Sequence, residues 1–399
     1  MGIAPKWRMV ALLWMVCWLN YADRQAIFAL FPLLRGEFGV SNVRLALVGS
    51  SFMWVYALFG PVAGWMGDRL PRRRLILGGM CMWLVATAAT ILSHSFWQMV
   101  VLRGLSGLAE AMYFPAAMSM IAAYHGPETR SRAMAAHQSA VYVGTMGGGI
   151  LAALIGERLG WRASFFVFGA VGILILVLVF GFLKEPAKEA APAAGVGIGP
   201  ALRETLMQPL AARLVAVFIG ANFVAMIFMV WLPSFLYGKF HMSLTTAGVS
   251  ATVYLQVAAV AGVLAGGVLA DRWSRRWRGG RMWTQAVGLL AGAPFLFLGG
   301  WSPTVGVLIA ALVGLGVCKG IYESNLWASL YDVVPQESRA TAVGLMNALG
   351  WLGGGVAPLA LAAASERFTM SQCLSATSCV YLLGGGVLVW NAKKAGARG

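Results

Sequence analysis

The chain has 399 residues, of which 59% are hydrophobic and only 11% charged, and it carries 50 glycines. A soluble globular domain has about 25% charged residues, so composition excludes that class and specifies a polytopic membrane protein. The net charge of +16 is spread singly between apolar stretches, as a topology signal is and a nucleic-acid-binding stripe is not.

A helix that crosses a bilayer needs about 20 mostly apolar residues. Twelve such spans are predicted, at 8–34, 44–66, 75–93, 96–124, 133–156, 162–183, 211–237, 245–270, 282–300, 303–332, 339–363 and 371–391. The fold class expected is therefore an all-α membrane protein of twelve transmembrane helices. Lys6 and Arg8 before the apolar Met9–Leu19 stretch look superficially like a signal peptide, but Asp23 and Arg24 follow with no cleavage site. The first span is read as retained.

An even number of spans puts both chain ends on one side. Of the lysines and arginines in the loops and at the span ends, only Arg35, Arg44, Arg158, Arg162, Lys239 and Arg367 fall on the other side. The positive-inside rule then places both termini in the cytoplasm, with a bacterial inner membrane as the expected location. The five cysteines, Cys17, Cys81, Cys318, Cys373 and Cys379, show no CxxC spacing and imply neither a disulfide framework nor a zinc site.

The longest polar connection, Lys184 to Gln208, contains Glu185-Pro186 and an Ala/Gly/Pro-rich run, and it divides the spans six and six. It gives an N-terminal six-helix bundle over 1–183, a cytoplasmic linker over 184–209 and a C-terminal six-helix bundle over 210–399. The halves repeat. Gly64, Asp68, Arg69, Arg72 and Arg73 recur 203 residues on as Gly267, Asp271, Arg272, Arg275 and Arg276. Pro127, Arg132 and Gly147-Gly148-Gly149 likewise parallel Pro335, Arg339 and Gly353-Gly354-Gly355. A period of half the chain length indicates two homologous, pseudo-symmetric bundles, with a site between them near mid-membrane.

The loop between spans two and three and its repeat in the second half both resemble the G-x-x-x-D-R-x-G-R-R signature of the major facilitator superfamily, with Pro71 and Ser274 respectively in place of the last glycine. Within that superfamily, Asn20-Tyr21-Ala22-Asp23-Arg24 and the run Arg103-Gly104 through Gly107, Glu110 and Tyr113 are similar to the spinster-like branch. They are also similar to the anion:cation symporter branch, which has D-R in the first helix and R-x-x-x-G-x-x-E in the fourth. The first resemblance implies lysophospholipid or sphingoid substrates. The second implies small organic anions, carboxylates or sugar acids and phosphates, carried with protons by alternating access. A small organic anion transporter is the leading reading, the lipid transporter is the alternative, and a non-transporting membrane sensor ranks third.

Charges at bilayer depth are costly and mark pathways. Asp23 lies about 15 residues into the first span, near 22 Å at 1.5 Å per residue, and Glu110 lies at a similar depth in the antiparallel fourth. If the two spans are neighbours, as the resemblance implies, Asp23, Arg24 and Glu110 form one cluster. Arg24 is then the anion-binding group, because guanidinium stays charged and grips carboxylate or phosphate with two donors. Asp23 and Glu110 are the proton-coupling carboxylates, one of which gains a proton when Arg24 turns to substrate. The opposing reading is a static buried ion pair. Arg103, two turns from Glu110, is assigned a coupling or structural role.

Aligning Gly107 with Gly316 places Lys319 on Glu110 and Tyr322 on Tyr113. Lys319 is a substrate-contact candidate, although Glu323 lies four residues on and is positioned to pair with it. Asn20, Tyr21, Tyr113, Asn222, Tyr322 and Glu323 complete the expected substrate-binding set. Asp68, Arg69, Arg72 and Arg73, with Asp271, Arg272 and Arg275, are read as a gating latch at the cytoplasmic helix ends, against a role in topology alone. Glycine runs at 144–149 and 353–355 predict close helix contacts. No nucleophile with its base, no nucleotide motif and no metal-ligand constellation appears. Enzyme activity, cofactor, metal and nucleic acid are therefore not expected, and the chain is read as a monomer with a small-molecule substrate, a proton and membrane lipids as partners.

Overall fold

The computed structural model describes residues 5–125, 127–185, 206–335 and 339–397. It comprises helices α1 (Pro5–Ala29), α2 (Phe31–Phe38), α3 (Asn42–Arg69), α4 (Arg72–Ile91), α5 (Phe96–Ala111), α6 (Tyr113–Tyr124), α7 (Pro127–Leu159) and α8 (Trp161–Phe182). The second half contains α9 (Pro209–Phe240), α10 (Leu244–Arg276), α11 (Gly280–Trp301), α12 (Val305–Glu323), α13 (Leu326–Tyr331), α14 (Arg339–Ala364), α15 (Met370–Ala376) and α16 (Ser378–Ala397). Four predicted spans are broken by one or two residues: α1/α2 at Leu30, α5/α6 at Met112, α12/α13 at Ser324-Asn325 and α15/α16 at Thr377. Counting each broken pair as one span recovers twelve.

Among the described residues ten stretches are long and apolar enough to cross a membrane. The two absent from that set are the first span, which carries Asp23 and Arg24, and the fourth, which carries Arg103 and Glu110. The spans with the lowest claim to lipid are thus those holding the buried ions.

Several turns opposite the termini are locally encoded. Ser41 accepts from the Arg44 N–H and Thr304 from the Val307 N–H, while Ser95 with Gln98 and Thr369 with Gln372 form reciprocal capping boxes. Each cap satisfies amide donors that a helix start leaves open.

The chain divides into two compact units. The first contains Met1–Ala191 and Leu236–Val249, the second Pro192–Phe235 and Ser250–Gly399. In the first unit, Leu244 packs with Ala29 and Ala153, and Thr245 donates from both its N–H and hydroxyl to Glu157, at 3.1 and 2.6 Å. The turn joining α9 to α10 therefore belongs with the N-terminal spans.

Glycine sets the closest approaches in each unit. A Cβ on Gly107 would run into the Phe52 carbonyl, bringing α5 onto α3; one on Gly316 would meet the Leu255 carbonyl, bringing α12 onto α10. Gly144 and Gly148 sit on Trp18 and Ala22 of α1, as Gly350 and Gly354 sit on Phe218 and Asn222 of α9. The repeat legible in the loops therefore extends to pairwise helix contacts, where small residues let helices approach closely.

Candidate functional site

The first unit holds two buried ion pairs. Arg24 on α1 donates from Nη2 and Nε to the same Glu110 oxygen on α5, at 2.8 and 3.2 Å. Its Nη2 also donates to the Asn20 amide oxygen one turn earlier, at 3.2 Å. The guanidinium is faced by the rings of Tyr21, Phe52 and Tyr56, with centroids 4.6, 4.7 and 4.9 Å away. Aromatic faces attract cations at such distances, so Arg24 is held by one acid, one amide and three rings. Its side chain is 3% exposed and that of Glu110 0%.

Asp23 goes elsewhere. One of its oxygens accepts from Arg103 Nη1 at 3.1 Å and from the Trp83 indole at 3.2 Å. Adjacent residues on a helix point about 100° apart, from 3.6 residues per turn. Asp23 and Arg24 consequently cannot share a partner as simply as the sequence reading supposed. The expected three-residue cluster is instead two pairs, Arg24–Glu110 and Arg103–Asp23, with the Phe52 ring near both guanidinium groups, 4.7 and 5.1 Å from its centroid. The second oxygen of Asp23 and that of Glu110 have no hydrogen-bond partner.

Of the other expected contacts, Tyr21 and Asn20 lie against Arg24. Tyr113 does not: its hydroxyl donates to the Leu13 carbonyl at 2.5 Å and lies 2.8 Å from the buried His137 Nε2. That arrangement ties α6 to α1 and α7. Trp83, Phe52 and Tyr56 were not singled out from sequence. The i, i+4 spacing of Phe52 and Tyr56, whose rings stack at 5.9 Å, was the available signal.

In the second unit, Lys319 and Glu323 pair across one helical turn at 2.8 Å. They line a small cleft together with Phe218, Asn222, Tyr322 and Tyr381. Asn222 is fixed there by donating Nδ2 to the Gly350 carbonyl. The α12 helix stops directly after Glu323, where Asn325 turns its amide to the Gly266 carbonyl.

The expected latch residues have assorted surroundings. The side chains of Asp68 and Arg69 lie outside the described residues. The backbone N–H groups of Arg72 and Arg73 donate to the Glu185 carboxylate at 2.9 and 2.7 Å, and Arg73 Nη2 donates to the Phe180 carbonyl at 2.6 Å. Pro71 supplies no side-chain cap to α4, and Glu185 performs that service from the start of the connection, with the sign a helix N-terminus prefers. Asp271, Arg272 and Arg275 are exposed at the end of α10. Among the described residues no His/Cys/Asp/Glu group is arranged to hold a metal.

The sequence profile of the Major Facilitator Superfamily matches residues 13–358. The chain belongs to this superfamily. It is thus a multi-pass membrane transporter with a small-molecule substrate, in the major facilitator fold. It is similar to the hexuronate transporter of Bacillus subtilis, 26% identical over 390 residues, covering 93% of this chain and 89% of that protein. It is also similar to bovine protein spinster homolog 1, 28% identical over 387 residues, covering 90% of this chain and 72% of the relative. The crystal structure of a bacterial homolog of the human lysosomal transporter Spinster superposes with a TM-score of 0.82 at 22% identity, covering 100% and 96% of the two chains.

Proposed function

We propose that this major facilitator is a proton-coupled carrier of small organic anions, with sugar acids and related carboxylates the favoured class. It would act as a monomer in a bacterial inner membrane, both termini cytoplasmic. The observation that carries the reading is the Arg24–Glu110 pair: a buried guanidinium, already gripping a carboxylate through two nitrogens, is built to exchange that carboxylate for another. Similarity to a hexuronate transporter supports the substrate class.

The proton follows from electrostatics. When a substrate carboxylate takes Arg24, Glu110 is left at depth without its counter-ion, and a buried carboxylate in that position takes a proton rather than stay charged. Substrate and proton are then loaded together. Asp23 remains clamped between Arg103 and Trp83, so Glu110 is the exchanging carboxylate and Asp23 the standing charge that holds Arg103. Asp68, Arg69, Arg72 and Arg73, with Asp271, Arg272 and Arg275, remain proposed as the cytoplasmic gate.

The test is uptake of labelled glucuronate by proteoliposomes under an imposed pH gradient. Glu110→Gln should lose acceleration by the gradient while retaining exchange of labelled for unlabelled substrate; Arg24→Ala should lose both. Gradient-driven accumulation persisting at the wild-type rate in Glu110→Gln would reject the coupling role. The similarity to spinster homolog 1 sustains a second reading, a lipid-like substrate. Lysophospholipid movement with no response to any sugar acid would establish it in place of the first.

A further inference from the structure

The cleft in the second unit was expected to take the substrate's negative group on Lys319. Its chemistry argues otherwise. Lys319 is already neutralised by Glu323 at 2.8 Å, and of the two side chains the carboxylate is the more open, 36% exposed against 16%. An anion entering the cleft meets Glu323 first and gains Lys319 only by breaking the pair.

We propose instead that this cleft is a subsite for a neutral polyhydroxyl segment, read by Lys319, Glu323 and Tyr322. The inference rests on the sugar-acid reading proposed above, in which the substrate carries neutral hydroxyls as well as a carboxylate. Lys319 carries three donors and Glu323 only acceptors, so the pair offers matched partners to adjacent hydroxyls without net charge. The Tyr322 hydroxyl is buried and has no hydrogen-bond partner. Such orphans are uncommon and costly, and a ligand hydroxyl that both donates and accepts satisfies one. Phe218 and Tyr381 supply apolar ring surface, and Asn222 is an amide fixed by its bond to Gly350.

The pseudo-symmetry sharpens the contrast. Phe218 and Asn222 occupy on α9 the places that Trp18 and Ala22 occupy on α1, each against a matching glycine. Lys319 stands in the position of Glu110 by the alignment of Gly316 with Gly107. One scaffold thus carries an exchangeable ion pair in its first copy and a charge-neutral, hydroxyl-reading group in its second.

The experiment measures binding to the purified full-length protein by isothermal titration, using glucuronate, tetrahydropyran-2-carboxylate as the same ring acid stripped of hydroxyls, and glucose as the neutral polyol. Wild type should prefer glucuronate to the stripped acid. Tyr322→Phe and Glu323→Gln should each weaken glucuronate about tenfold, as loss of one hydrogen bond does, and leave the stripped acid unchanged. Unaltered thermal midpoints show that these conservative variants are folded. A glucuronate preference untouched in both variants overturns the proposal, as does tighter binding of both acids by Glu323→Gln with equal loss of both in Lys319→Met, the signature of an anion site. Failure of wild type to bind either polyhydroxylated probe also overturns it. Survival of both acids in Arg24→Ala would instead reject the Arg24 reading, while a glucuronate preference still lost in Tyr322→Phe would uphold the subsite.

Discussion

The Arg103–Asp23 pair makes a quantitative prediction through Asp23→Asn, Arg103→Gln and their combination. The two side chains are 2% and 1% exposed and meet at 3.1 Å, so removing one charge leaves the other uncompensated at depth. That penalty is about 3–5 kcal/mol for a buried pair. In Asp23→Asn it is partly offset by the Phe52 ring 5.1 Å from the Arg103 guanidinium, a contact contributing up to about 2 kcal/mol when desolvated. In Arg103→Gln the Trp83 indole still donates to Asp23, a charge-assisted bond of about 1.5–3 kcal/mol. Each single variant should therefore lose about 1–3 kcal/mol, the difference between that penalty and those offsets. The double variant leaves two neutral amides and should fall short of the summed losses by about 0.5–3 kcal/mol, the range for groups in direct contact. The assay is thermal unfolding of detergent-solubilised protein followed by tryptophan fluorescence. Losses that add to within about 0.5 kcal/mol would refute a direct pair and with it the assignment of Asp23 as a standing charge.

Arg24→Lys should lose carboxylate binding nearly as completely as Arg24→Ala, because an ammonium cannot reproduce two guanidinium donors on one acceptor; titration with glucuronate checks it. Gly107→Leu and Gly316→Leu should each destabilise by about 1–3 kcal/mol through overpacking against backbone, read as lower thermal midpoints. Tyr113→Phe strips the Leu13 carbonyl and His137 of their shared hydroxyl and should cost about 1–3 kcal/mol by the same assay. Glu37, at the end of α2 and past the apolar stretch 8–34, is pushed up by partial burial, but hydrogen bonds from Trp161 and Arg162 outweigh this and hold it below the ordinary 4.5. Its contribution is therefore present above about pH 4.5 and lost as pH falls through its folded value. With both partners 37% exposed, Glu37→Gln should cost under about 1 kcal/mol at pH 7 and nothing once pH has fallen below the folded value, as paired thermal scans would show.

Spans, the repeat and the ionic residues were legible because apolar length and charge at depth are properties of sequence alone. The partners were not. Which carboxylate Arg24 meets depends on how far α1 is rotated against α5, and hydropathy is silent on rotation. The interruption before α2 had a visible cause in Pro32, which lacks an amide proton. The one after Glu323 did not, since it depends on Asn325 reaching Gly266, 59 positions away. Glu185 looked like part of a linker because its role, closing the start of α4, appears only when the sixth span returns beside the third. The latch reading treated Arg72 and Arg73 as side chains, whereas it is their backbone amides that Glu185 engages.

The glycine contacts have a mechanical consequence. Where Gly107 meets the Phe52 carbonyl, and Gly316 that of Leu255, no side chain stands between the backbones, so no rotamer change can absorb a displacement there. Helices α3 and α5 must travel as one rigid body, and so must α10 and α12. A displacement between these helices has to be taken up at seams lined by flexible side chains, and Glu110 and Lys319 each lie three residues beyond such a glycine.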